Sequence, residues 1–137
     1  MNPFRRILQG QKGSVAVEFA LILPVFLMLM FSVIEMGSAW YYKQMLVSAT
    51  REGARAASLL NDDANGTAQV TTLVNTYLAN AGFPGSAQVT VTGADGDPGT
   101  QVQVTTTSEY QMPVLGKLVS SSLSSMTLSA TTIMRHE

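Results

Sequence analysis

The sequence has no cysteine and a single histidine, His136. Without cysteine no disulfide can staple a domain in an oxidising compartment, so packing or assembly with partners must hold it. The same absence removes thiolate nucleophiles and cysteine-ligated metal sites, and one histidine leaves no H-E-x-x-H pattern. Charge is scarce: 8 basic and 9 acidic side chains leave a net charge of −1. There is no basic stripe to neutralise phosphates, so the electrostatic footprint of a nucleic-acid binder is missing. No glycine-rich phosphate loop occurs, and the many Ser and Thr have no general base nearby. His136 reads as a solvated residue rather than a ligand or base. The expectation is a protein that is not an enzyme, with no cofactor and no metal.

What the chain does have is a long apolar run. From Val15 to Ile34 the only charge is Glu18. About 20 mostly apolar residues in a helix are enough to cross a hydrocarbon core roughly 30 Å thick. The nearby basic residues, Arg5, Arg6 and Lys12, all precede the run. The positive-inside rule then places the N-terminus in the cytoplasm and the remainder outside. A conventional secretory signal is the competing reading, with Gly37-Ser38-Ala39 as its small-residue cut site. Against it, the run is long for such a signal and the helical pattern continues through the cut. Pro24 inside the run removes one helical hydrogen bond and favours a bend.

Glu18 is the informative charge. A carboxylate at the centre of a membrane helix costs about 2.5–3.5 kcal/mol, and less near the end where Glu18 sits. It reads either as a carboxylate snorkelling to the membrane edge or as a partner for a positive group. If the chain is cut after Gly13, Ser14 becomes a free α-amine with Glu18 one helical turn further on. Residues at i and i+4 share a face and lie about 6 Å apart along the axis. The carboxylate would then face its own amine or that of a neighbouring subunit.

Basic leader, Gly13, Glu18 at the fifth position after it, Phe19 at the sixth and then a hydrophobic helix: this order resembles the processing site of type IV pilin-like proteins. Arg51-Glu52-Gly53-Ala54-Arg55 and the C-terminal Thr131-Thr132-Ile133-Met134-Arg135-His136-Glu137 narrow the resemblance to the TadE-like family, pseudopilins of the tight adherence (Tad, or Flp) pilus. The resemblance implies a minor pilin in the bacterial inner membrane that supports or initiates pilus assembly and surface adhesion, and that can enter the extracellular fibre. It implies cleavage between Gly13 and Ser14 by a prepilin peptidase. It also implies assembly through Glu18 and Phe19, and a structural motif at Arg51, Glu52, Gly53 and Arg55. The implied partners are that peptidase, other Tad pilins and pseudopilins, the inner-membrane assembly platform and the membrane itself. The alternative is an uncleaved, single-pass anchored periplasmic domain that binds a partner.

Beyond Glu35 the helical pattern turns amphipathic. Ala39, Tyr42, Leu46, Ala49, Gly53, Ala56 and Leu60 recur at steps of three and four, the signature of one helix face. Its small residues, Gly53 above all, predict close approach of another element, because Gly in a helix interior costs about 1 kcal/mol against Ala. Trp40, Tyr41 and Tyr42 read as an interfacial belt, with Tyr42 equally suited to a core. Arg51, Glu52 and Arg55 flank the face. They read as a solvated ion pair; the resemblance implies either a clamp of the sheet on the helix or a contact with the next subunit.

Residues 61–66 read as a loop, followed by a helix capped at Thr67 and carrying Val70, Leu73, Val74, Tyr77, Leu78 and Ala81 on one face. Gly82 stops it, with Pro84 just beyond. Ala87, Val89 and Val91, then Val102 and Val104, alternate with polar residues and predict a hairpin around residues 94–99. Asp95 and Asp97 in that turn are a weak candidate for calcium. The strand is expected to end at Ser108. A short helix opened by Pro113 follows, with Val114, Leu115, Leu118 and Val119 apolar, then a polar loop from Ser120 to Ser125. A last strand carries Met126, Leu128, Ala130, Thr132 and Met134. The predicted fold is α+β: a leader (1–13), a transmembrane helix (14–36) continuing into an amphipathic spine, and a periplasmic domain (37–137) with a second helix and an antiparallel sheet of about three strands.

Overall fold

The computed structural model describes residues 3–60, 65–94, 96–118 and 124–137, with residues 3–12 and 118 described by backbone alone. The elements run α1 (Pro3–Leu59), α2 (Gly66–Asn80), β1 (Gln88–Thr92), β2 (Gln101–Gln111), α3 (Leu115–Leu118) and β3 (Ser125–Arg135). This is the order the periodicity predicts, and the fold is α+β. The three strands form one antiparallel sheet in the order β1-β2-β3.

Helix α1 has 57 residues, about 85 Å at 1.5 Å per residue. Pro24 lies inside it without ending it. Its first half is bare: the most apolar window has a mean hydropathy of 2.5 and none of it is buried in the structure. The helix is thus long and apolar enough to cross a membrane. Its second half is the spine of the domain. Ala39, Leu46, Ala49, Gly53, Ala54 and Ala57 are buried there, with Thr50 and Ser58 beside them. The buried stripe is wider than the expected one, because α1 packs on α2 along one flank and on β2 and β3 along the other.

At Gly53 the helices meet closely. A Cβ at that position would sit 2.5 Å from Cγ2 of Val74 on α2. The close approach read from the sequence is real, and what approaches is a side chain. In α2 the buried residues are Gly66, Val70, Val74 and Leu78, whereas Leu73 and Tyr77 are exposed. The N-cap is Asn65 and Thr67 lies within the helix, one correction to the expected cap. The other end is a Schellman motif: Phe83 N–H donates to Leu78 O at 2.9 Å and Gly82 N–H to Ala79 O at 3.1 Å, with Gly82 at φ 76°. Phe83 is thereby turned onto Tyr42, edge to face at 5.8 Å. Tyr42 also meets Tyr110 at 5.4 Å, so it belongs to the domain core, while Trp40 and Tyr41 stay exposed.

In the sheet, β2 is central and continues to Gln111, past the expected end at Ser108. Ser108, Glu109, Tyr110 and Gln111 pair with Leu128, Thr127, Met126 and Ser125 of β3. The apolar alternation fails there because the inward positions are Thr106 and Ser108, polar yet buried. The outward face is Thr- and Gln-rich, with Thr105 and Thr131 hydroxyls 3.0 Å apart across the strands. Asn61 to Ala64, Asp95 and Val119 to Leu123 lie outside the described residues, and with them most of two expected loops and half of the calcium candidate. Asp97 is exposed, and its carbonyl accepts hydrogen bonds from the N–H and hydroxyl of Thr100, the geometry of a turn.

Candidate functional site

The residues singled out by sequence fall on two separate stretches of α1. Gly13, Ser14, Glu18 and Phe19 lie on its bare half, all exposed, and a Cβ at Gly13 would meet nothing within 4 Å. Glu18 is one turn beyond Ser14 on a continuous helix, so the two share a face. The Arg51 motif lies more than 30 residues further along the same helix, roughly 50 Å away at 1.5 Å per residue. The helix holds the two groups apart along one rod.

Within the motif the roles divide. Gly53 is buried against α2, while Arg51, Glu52 and Arg55 are exposed. Among the described residues none of the three makes an ion pair with another part of the domain. Glu52 instead borders a shallow groove with Leu73 and Tyr77 of α2.

Two residues that sequence reasoning passed over carry the most specific tertiary contacts. Glu35 is only 5% exposed. One carboxylate oxygen accepts the Val114 N–H at 2.6 Å, and the other accepts the Leu115 N–H at 3.2 Å. The carboxylate therefore caps α3 from a distant part of the chain, taking donors that a short helix leaves open. Every other N–H in this turn is also used: Met112 donates to Ser124 O, Gly116 to Met112 O, Lys117 to Val114 O, and Pro113 has none to donate. A signal for Glu35 was present. It is spaced four, seven and eleven residues from Ala39, Tyr42 and Leu46, on the stripe that turns inward.

His136 corrects the expectation of a solvated residue. It is buried, and its Nε2 lies 2.7 Å from Gly93 O. A carbonyl only accepts, so Nε2 carries the proton. Its Nδ1 is buried without a partner among the described residues. Backbone bonds fix the same segment: His136 N–H to Thr100 O, Gly99 N–H to His136 O, and Glu137 N–H to Ser58 O. The end of the chain thus ties the β1–β2 loop to the end of α1. In this arrangement the imidazole is a hydrogen-bond donor that fixes the terminal segment against Gly93.

The geometry defines a class: a long helix, bare and apolar in its first half, that serves in its second half as the spine of a small α+β domain. The family model described as TadE-like protein matches residues 13–55, from the Gly13 junction to the second arginine of the motif. That stretch covers the bare half of α1 and most of its packed half. No curated protein and no solved structure matches the chain.

Proposed function

We propose that this chain is a minor pilin or pseudopilin that supports or initiates assembly of a Tad-type type IV pilus, and that it is not an enzyme. The observation that carries the reading is the TadE-like match, which begins at Gly13 and follows one unbroken helix to Arg55. On this reading a prepilin peptidase cuts between Gly13 and Ser14. The bare half of α1 packs among the helices of other pilin subunits, with Phe19 on that surface. Glu18 neutralises an N-terminal amine, because a carboxylate in a low-dielectric surrounding gains most from an opposite charge close by. The domain faces the periplasm, since Arg5, Arg6 and Lys12 precede the apolar run. The exposed Arg51, Glu52 and Arg55 are then available to the next subunit or to the assembly platform.

The test is the mass and N-terminal sequence of the protein recovered from membranes with and without active prepilin peptidase. A chain that starts at Ser14 only when the peptidase is active supports the reading. A start at Met1 in both cases makes this an uncleaved anchored domain, and the filament mechanism falls. Glu18→Ala is expected to be inserted and cleaved yet to fail in assembly; normal pili from that variant would remove the charge-pairing role.

A further inference from the structure

Where α1 meets α3 there is a groove of about 640 Å³. One wall is Leu29, Val33 and Trp40 of α1; the other is Met112, Leu115 and Met126 of the folded domain. The first wall has a meaning that the second does not. Leu29 and Val33 belong to the run from Val15 to Ile34, which as a helix is about 30 Å long, the thickness of a hydrocarbon core. A groove with one wall at that depth has its other wall within a turn or two of it.

Three further observations agree. Glu35 is the first charge after the run, and it is the residue that holds α3. It therefore sets the level of Pro113 to Leu118 along the membrane normal. The backbone donors of residues 112 and 114–117 are all satisfied within the protein, and Ser32 and Ser38 hydroxyls donate to the carbonyls of Met28 and Ile34. Satisfied backbone is what a segment needs where water is scarce. Trp40, which lines the groove, is exposed, as are Lys43 one helical turn further along α1 and Lys117 on α3. Amphipathic aromatics and long cationic chains are the usual anchors at the boundary between hydrocarbon and headgroups.

We infer that the groove and the Pro113–Leu118 segment form a membrane-contacting surface: acyl chains of the leaflet on the domain side fill the groove, and α3 rests among the headgroups. The domain then sits on the bilayer, held at a fixed height by the Glu35 carboxylate, and does not swing on a tether. Lipid is the occupant because the groove continues the surface of a helix that already faces lipid. The inference rests on α1 crossing the bilayer and is independent of cleavage or pilus assembly.

The absence of cysteine makes the test direct, and Trp40 is the only tryptophan. Full-length protein carrying a nitroxide at Lys117→Cys, or at Gln103→Cys on the outer sheet face, is reconstituted into phosphatidylethanolamine–phosphatidylglycerol vesicles. Oxygen and a water-soluble nickel chelate then report the depth of each label, and brominated lipids report the depth of Trp40. The expected result is Trp40 quenched most by bromines near the headgroups, with a label at 117 several-fold more accessible to oxygen relative to nickel than the label at 103. Equal ratios at 117 and 103 would overturn the inference, as would a water-exposed Trp40. Spin–spin broadening at 117 that survives dilution with lipid would also overturn it, because a second copy would then be covering the groove.

Discussion

Oε1 of Glu35 and the backbone N–H of Val114 lie 2.6 Å apart although 79 positions separate them in the chain. This contact joins the boundary of the apolar run to the turn between β2 and β3. A hydrogen bond to a charged acceptor contributes about 1.5–3 kcal/mol, and removing the acceptor leaves buried donors unpaired. Glu35→Ala is expected to destabilise the domain by about 2 kcal/mol on that basis. The effect should be local first. Hydrogen exchange in micelles should show the Val114 and Leu115 amides losing protection while those of Val102 and Val104 keep theirs. Unchanged protection at Val114 would mean that the carboxylate does not hold α3.

Gly53 of α1 packs directly against the side chain of Val74 on α2. Gly53→Ala improves helix propensity by up to about 1 kcal/mol, but it places a methyl where the stiff Val74 side chain already is. Overpacking typically costs about 1–3 kcal/mol, so the net effect should be destabilising. The double variant Gly53→Ala/Val74→Ala should recover part of that loss, seen as a favourable coupling energy in a double-mutant cycle. Strict additivity would show that the two residues do not compete for space.

Thr106 is fully buried in β2 and its hydroxyl has no partner among the described residues. Burying an unpaired hydroxyl costs about 1–3 kcal/mol in proteins. Thr106→Val keeps the β-branched shape and removes the polar atom, so it should stabilise the domain by about 1 kcal/mol. A urea midpoint that falls for this variant would place an unseen partner on the hydroxyl.

His136 and Gly93 are paired at 2.7 Å. His136→Ala removes that donor and leaves a cavity beside a turn that only glycine fits. Gly93 has φ 77° there, and a Cβ on it would lie 2.6 Å from Gln101 O. A loss of about 2–3 kcal/mol is expected, from the orphaned carbonyl and the lost packing together. Exchange should quicken first at Gly99 and at His136 or its replacement, where the terminal segment meets the loop. A variant as stable as the parent would return His136 to the role of a surface residue.

Much of the fold was legible in the chain because it is written in local periods. The steps of three and four from Ala39 to Leu60 named the buried face of α1. Of the six residues read as the apolar face of α2, Val70, Val74 and Leu78 are buried while Leu73, Tyr77 and Ala81 are exposed, and the alternation from Met126 to Met134 named the inward face of β3. Gly82, with Pro84 just beyond, announced the end of α2 by chemistry that needs only a few neighbouring residues. The failures share one cause. The strand past Ser108 was missed because Thr106 and Ser108 look solvent-facing until α1 and β3 enclose them. The cap of α2 shifted from Thr67 to Asn65 because helix ends depend on how the preceding loop enters. The candidate site divided in the same way: the spacing of Ser14 and Glu18 on one face follows from helix geometry alone, whereas the roles of Arg51, Glu52 and Gly53 separated only once α2 was in place.

By itself the sequence determined a helix with a bare apolar half, the order of the elements after it and which side of each is apolar, because hydrophobic burial acts on patterns a few residues long. The tertiary structure alone decided where the scarce polar groups go. Glu35 finds the turn at Val114, and His136 finds Gly93, 43 positions away. Leaving a buried polar group unpaired is costly, and the partner that Glu35 or His136 finds is chosen by the topology that brings two distant segments together, which no local window of sequence contains.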